Sequence, residues 1–115
     1  MTTNVKYPRN PRWHRDELIL ALDLYLRLGP VGKEHPAVHE LSTLLNLLRL
    51  SPVLDEMKYR NENGVAQKLQ NFRFIDTGKG LSHGGKLDEA LWRELSTDRA
   101  RLSSLVAGIR ARAQN

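Results

Sequence analysis

Apolar positions recur along this chain with the spacing of helices, and nowhere with the alternation of strands. The first such run, ELILALDLYLRL, predicts a helix from about Asp16 to Leu28. Its apolar residues nearly encircle it, as in a helix central to a small bundle, and Gly29-Pro30 stops it. A second helix is predicted from about Pro36 to Leu50. His35 stands at its N-cap and Pro36 in its first turn, Val38, Leu41, Leu45 and Leu48 form its inner stripe, and Ser51-Pro52 closes it. Leu44 and Leu47 lie partly outside that stripe. The stretch Val53 to Tyr59 is ambiguous between a turn and one helical turn.

The third helix, within RNENGVAQKLQNFR from Arg60 to Arg73, has two unlike faces. Val65, Leu69 and Phe72 fall on one stripe, while Asn63, Gln67, Gln70 and Asn71 cluster opposite. Lys68 and Arg73 flank the stripe, and Asn61 or Asn63 can cap the helix. Two more helices follow a glycine-rich loop: about Asp88 to Leu95, capped by Asp88 and anchored by Leu91, Trp92 and Leu95, then about Arg99 to Ala113, capped by Asp98, with Leu102, Leu105, Val106 and Ile109 inward. The expected fold is all-α, a compact bundle of about five helices with a helix-turn-helix-like core. Residues 1–12, interrupted by Pro8 and Pro11, form a basic N-terminal arm, and 13–115 one helical domain. The last helix meets no Gly or Pro terminator, which suggests one module of a longer protein.

With 115 residues, 40% of them hydrophobic, the chain can form a single domain with a modest core. No cysteine is present, which excludes disulfides, zinc ribbons and thiol catalysis and fits a reducing cytoplasm. No apolar run is long enough for a secretory signal or a membrane span. The net charge of +5 is unevenly placed. Lys6, Arg9, Arg12 and Arg15 sit in the first fifteen residues without an acid. Between Lys58 and Lys86, the cations Lys58, Arg60, Lys68, Arg73, Lys79 and Lys86 face only Glu62 and Asp76, and after Asp98 come Arg99, Arg101, Arg110 and Arg112 with no acid. A polyanion is the natural partner for such clusters, since phosphate neutralisation by Lys and Arg drives nucleic-acid affinity. A membrane surface fits less well, because no basic amphipathic helix with exposed aromatics is present.

Few residues suggest other chemistry. Gly80 to Lys86 reproduces the G-x-x-x-x-G-K part of a phosphate-binding loop, but Leu87 replaces the magnesium-binding Ser or Thr and no buried strand precedes it. His35 and His39 share a helix spacing suited to metal but lack a third ligand. No nucleophile with a base and no separated acid pair stands out, so no catalysis, metal, cofactor or small-molecule substrate is expected. Trp13 and Trp92 read as core anchors, and Tyr7 as an aromatic in the basic arm.

A tryptophan opens the first helix in Trp13-His14-Arg15-Asp16-Glu17-Leu18, Tyr25 closes it, and Arg60 leads into a helix ending KLQNF. This order resembles the Myb/SANT class of three-helix domains, which implies a third helix in the major groove. Four blocks, RNPRWHRDELILALDLYLR, LSTLLNLL, RNENGVAQKLQNFRFID and GLSHGGKLDEALWREL, together resemble the N-terminal head module found ahead of HNH nuclease domains in bacterial McrA-like, modification-dependent (type IV) restriction endonucleases. The resemblance implies binding of foreign or modified DNA, such as 5-methylcytosine DNA, with cleavage left to a separate HNH domain. His14 stands where a Thr is expected to cap the first helix, which predicts a weaker cap.

The expected partner is therefore double-stranded DNA. Asn63, Gln67, Gln70 and Asn71 would contact base edges, and Lys68 and Arg73 phosphates. Arg60, Lys79, His83 and Lys86 would extend the path, and the arm from Lys6 to Arg15, including Arg9, Arg12 and Arg15, would follow the adjacent backbone or minor groove. The rival is a protein-interaction or homodimerisation module that uses the leucine-rich surface of the second helix.

Overall fold

The computed structural model describes residues 10–79 and 85–114. Among these, every regular element is an α-helix: α1 Arg15–Leu28, α2 Pro36–Leu48, α3 Glu62–Thr77, α4 Lys86–Leu95 and α5 Arg99–Arg112. The all-α bundle of five helices expected from the periodicity is present.

The near-continuous apolar run of α1 places that helix at the centre, where it packs on all four others. Leu18 to Leu22, Leu24 and Tyr25 are all buried. Each neighbour contributes a stripe: Val38, Leu41 and Leu45 from α2, Val65, Leu69 and Phe72 from α3, Leu91 and Leu95 from α4, and Leu102, Val106 and Ile109 from α5. Leu44 joins them at 7% exposure, whereas Leu47 stays 65% exposed. Tyr25, Phe72 and Trp92 meet as an aromatic cluster, with the Tyr25 and Trp92 rings edge-to-face at 5.9 Å. Trp13 and Trp92 are partly buried against the core, as anchors should be.

The helix ends follow from local chemistry. The capping box at α1 is complete despite the histidine: Asp16 N–H donates to His14 Nδ1 at 3.0 Å, and His14 N–H donates to Glu17 Oε1 at 2.8 Å. A ring nitrogen here accepts the bond that a threonine hydroxyl would otherwise take. His35 repeats the device, accepting from Ala37 N–H ahead of Pro36. Asn61, the better of the two candidates, caps α3 through Gly64 N–H at 2.8 Å. Past α3, Gly78 takes φ +72, a left-handed position that a side chain would strain. At α4 the expected boundary moves, because Asp88 lies at the third helical position and accepts from Gly85 N–H at 3.2 Å, so the helix starts at Lys86.

Between α2 and α3 the chain runs from Arg49 to Asn61 without regular helix, a longer passage than the three or four residues of a compact helix-turn-helix. Asn10 holds it: its Oδ1 accepts from Leu54 N–H and Asp55 N–H, and its Nδ2 donates to the Asp55 carbonyl. The last residues of the basic arm are therefore fastened to the body. At the far end of the chain, α5 is clasped by exposed ion pairs, Arg110 to Glu40 on α2 and Arg112 to Asp16 on α1, while Arg101 reaches Glu94 on α4.

Candidate nucleic-acid interface

Burial of Val65, Leu69 and Phe72 turns the amide face of α3 outward. Asn63 and Gln67 are exposed, Gln70 and Asn71 half-buried, and Phe74 is half-buried between them. Side-chain hydrogen bonds of this helix run elsewhere: Gly64 N–H donates to the Asn61 cap, Lys68 to Asp88, Tyr25 to Asp76 and Thr77 to the Arg73 carbonyl, and Glu62 pairs with His39. The four amides on the outer strip have no partner among the described residues.

The cations expected to flank this strip divide into two groups. Arg60 belongs to the interior. Its Nε donates to Glu17 Oε2 at 2.8 Å and its Nη2 to Glu17 Oε1 at 2.9 Å, and both side chains are almost fully buried. The guanidinium also lies 4.5 Å from the Tyr59 ring centre and 5.3 Å from that of Trp13. A buried carboxylate must be matched by a buried cation, and that requirement takes Arg60 off the expected phosphate path. It also sustains an unusual backbone, φ +46 at a residue with a Cβ. Lys68 is likewise turned inward: its Nζ donates to buried Asp88 Oδ2 at 3.1 Å and sits 5.5 Å from the Trp13 ring. Arg15 grips Glu94 with two bonds of 2.9 and 2.7 Å, and this pair holds the Glu94 carboxyl below the usual range. Because it remains partly exposed, Arg15 is the one of these three whose charge still faces solvent.

Arg12, Lys79 and Lys86 are exposed and Arg73 half-buried, and none of the four has a carboxylate partner among the described residues. The carboxylates are largely taken by other cations: Arg27 holds Asp23, Arg49 holds Glu56, and Arg93 holds Glu89. These four exposed or half-buried cations lie towards the C-terminal end of α3 and where the entry to α1 meets the start of α4. Arg9 and His83 lie outside the described residues, as do Lys6 and Tyr7.

No family model, curated protein or solved structure matches this chain.

The histidine pair is split by the fold, since His35 serves as a cap while His39 pairs with Glu62 at 2.8 Å. That contact, more than any other, holds the Glu62 carboxyl below its ordinary value. Among the described residues no three His, Asp or Glu side chains gather as a metal site, and no helix is long and apolar enough to cross a membrane. What the periodicity could not reveal is the pairing of Glu17 with Arg60 and of Lys68 with Asp88. Their separations in sequence carry no signal, and only a charge at a position deep in an apolar run, as Glu17 nearly is, hints that a partner must be supplied.

Under the interface, Tyr25 donates its hydroxyl to Asp76 Oδ2 at 2.8 Å. Burial first, and then that hydrogen bond, push the phenol up to about 12 from 10.0. A folded-state value above the unfolded one stabilises the fold below the unfolded value, and the contribution is lost as pH rises through the folded value. Stability is accordingly expected to fall between pH 10 and about 12. Tyr25→Phe should flatten that fall in alkaline unfolding curves, and Tyr59, whose phenol is also raised, chiefly by burial, should contribute to the slope that remains.

Proposed function

We propose that this chain is the DNA-binding specificity module of a modification-dependent restriction endonuclease, with cleavage carried out by a separate HNH domain. The observation that supports it most is the outer strip of α3. Asn63, Gln67, Gln70 and Asn71 are held on a helix whose opposite side is locked into the core, and their amides are free to bond outward. Such amides suit paired hydrogen bonds to adenine edges in a major groove. A rigid helix also positions them at little entropic cost.

The cations without a carboxylate partner among the described residues supply the second requirement. Arg73 and Lys79 lie towards the C-terminal end of α3, and Arg12 and Lys86 beside the start of α4. They suit the phosphates on either side of a groove, where contacts set register without reading sequence. Arg15, partly neutralised by Glu94, fits a weaker contact. The resemblance of the four sequence blocks to the McrA-like head module favours foreign or methylated DNA as the target.

Binding of matched unmodified and methylated duplexes across a salt series tests this reading. Salt-sensitive binding is expected, and Lys79→Ala and Lys86→Ala should each reduce the slope of log affinity against log salt by about 0.9. Preference for the methylated duplex would mark a modification sensor, and equal affinity a general DNA anchor. Absence of salt-sensitive binding would overturn the reading.

One observation favours a second reading, assembly of a nuclease. Leu47, Leu54 and Met57 are 65%, 55% and 89% exposed at and beyond the end of α2. An apolar surface of that kind is common at protein interfaces. Concentration-dependent mass without DNA binding would support it.

A further inference from the structure

Beside the amide strip, α3 sends Lys68 into a recess of about 560 Å³ between the start of α1 and the first turn of α4. Its size lies within the roughly 300–1,000 Å³ of small-ligand pockets. Trp13, Leu18 and Leu87 give it aromatic and aliphatic walls. At its base the Lys68 ammonium and the Asp88 carboxylate meet at 3.1 Å, both well shielded from solvent. Arg12 and Lys86 stand exposed at its opening.

We infer that this recess receives a single nucleotide drawn out of the duplex bound to the α3 strip. The inference rests on the DNA-binding reading and adds to it where one base goes. The walls match the flat apolar faces of a base. Lys68 and Asp88 place a donor and an acceptor side by side, the combination needed to meet a base edge. Asp88 accepts from Lys68 and from Gly85 N–H, which leaves carboxylate lone pairs for an amino group. The rim cations meet the flanking phosphates. Position supports the assignment too, because Asn71 lies three residues from Lys68 on α3 and so adjoins it on the helix surface.

Extrusion is least costly where pairing is already weak. The whole chain should therefore bind a duplex with one central mismatch about tenfold tighter than the matched duplex. Leu87 is 46% exposed, so Leu87→Trp fills the recess from the surface without disturbing the core. This variant should abolish the mismatch preference and leave matched-duplex affinity within about twofold. Lys86→Gln gives a second, smaller change that should halve the preference or more while the helical circular dichroism is unaltered. Equal affinity of the unaltered chain for both duplexes, or a preference that survives Leu87→Trp, overturns the pocket and leaves DNA binding standing. Failure to bind either duplex overturns the DNA-binding reading beneath it. A third arm titrates free deoxynucleoside monophosphates against tryptophan fluorescence: quenching that Leu87→Trp removes, without a mismatch preference, assigns the recess to free nucleotides and overturns extrusion.

Discussion

Glu17→Ala should lower the unfolding free energy by about 3–5 kcal/mol, because it strands Arg60 as a buried, unpaired cation. Domains of this kind are stable by only about 5–15 kcal/mol, so the urea midpoint should drop by about a fifth or more. Three interactions fail together in the variant. Glu17 accepts both bonds from Arg60, it accepts from His14 N–H at the start of α1, and it receives the Tyr59 hydroxyl at 3.3 Å. Arg60→Ala should cost a similar amount for the converse reason, leaving a carboxylate at 0% exposure without its partner. The double variant should cost far less than the sum, since the effect of removing either residue is mostly the penalty on the other. A drop under about 1 kcal/mol for Glu17→Ala would place the pair in solvent-exposed surroundings and contradict its burial.

The second large effect concerns DNA. Gln67→Ala combined with Asn71→Ala is expected to weaken binding to the preferred sequence by about 1–3 kcal/mol for each amide–base pairing removed. The slope of affinity against salt should not change, because amides neutralise no phosphate. Stability should hardly move, as Gln67 is exposed and neither amide is bonded within the described residues. The variant would then retain sequence-independent binding while losing its ability to choose. If affinity for every sequence stays as it was, the strip does not read bases, and the exposed apolar residues beyond α2 become the better candidates for this chain's binding surface.

Helix positions and inward stripes were readable from spacing alone, because burial of an amphipathic face is decided locally by which residues recur every three or four positions. The stripe of α3 and the amide strip opposite it follow from that rule at Val65, Leu69 and Phe72. Two readings of detail differed for identifiable reasons. Asp88 binds back from the third position of α4 rather than capping it, a distinction of three residues that composition cannot make. Leu44 is buried although it lies off the main stripe, because α2 is covered across a wider arc than a single row. The cations were the hard part. Arg60, Lys68 and Lys86 are all cations in a stretch with few acids, yet the first two are neutralised by carboxylates from α1 and α4. Which cation a buried acid selects depends on where distant helices come together, and no local pattern encodes it.

The clasp on α5 changes how an ionic-strength experiment must be interpreted. Arg110 and Arg112 hold the end of the chain to α2 and α1 through exposed ion pairs, which dissolved ions weaken with a screening length of about 10 Å at 0.1 M. Added salt therefore acts on two equilibria at once, release of a polyanion and fraying of the final helical turns. Amide hydrogen exchange at Gly108 to Arg112, followed without DNA over the same concentrations, separates them. The C-terminal helix is in that sense an internal gauge of ionic strength carried by the protein itself.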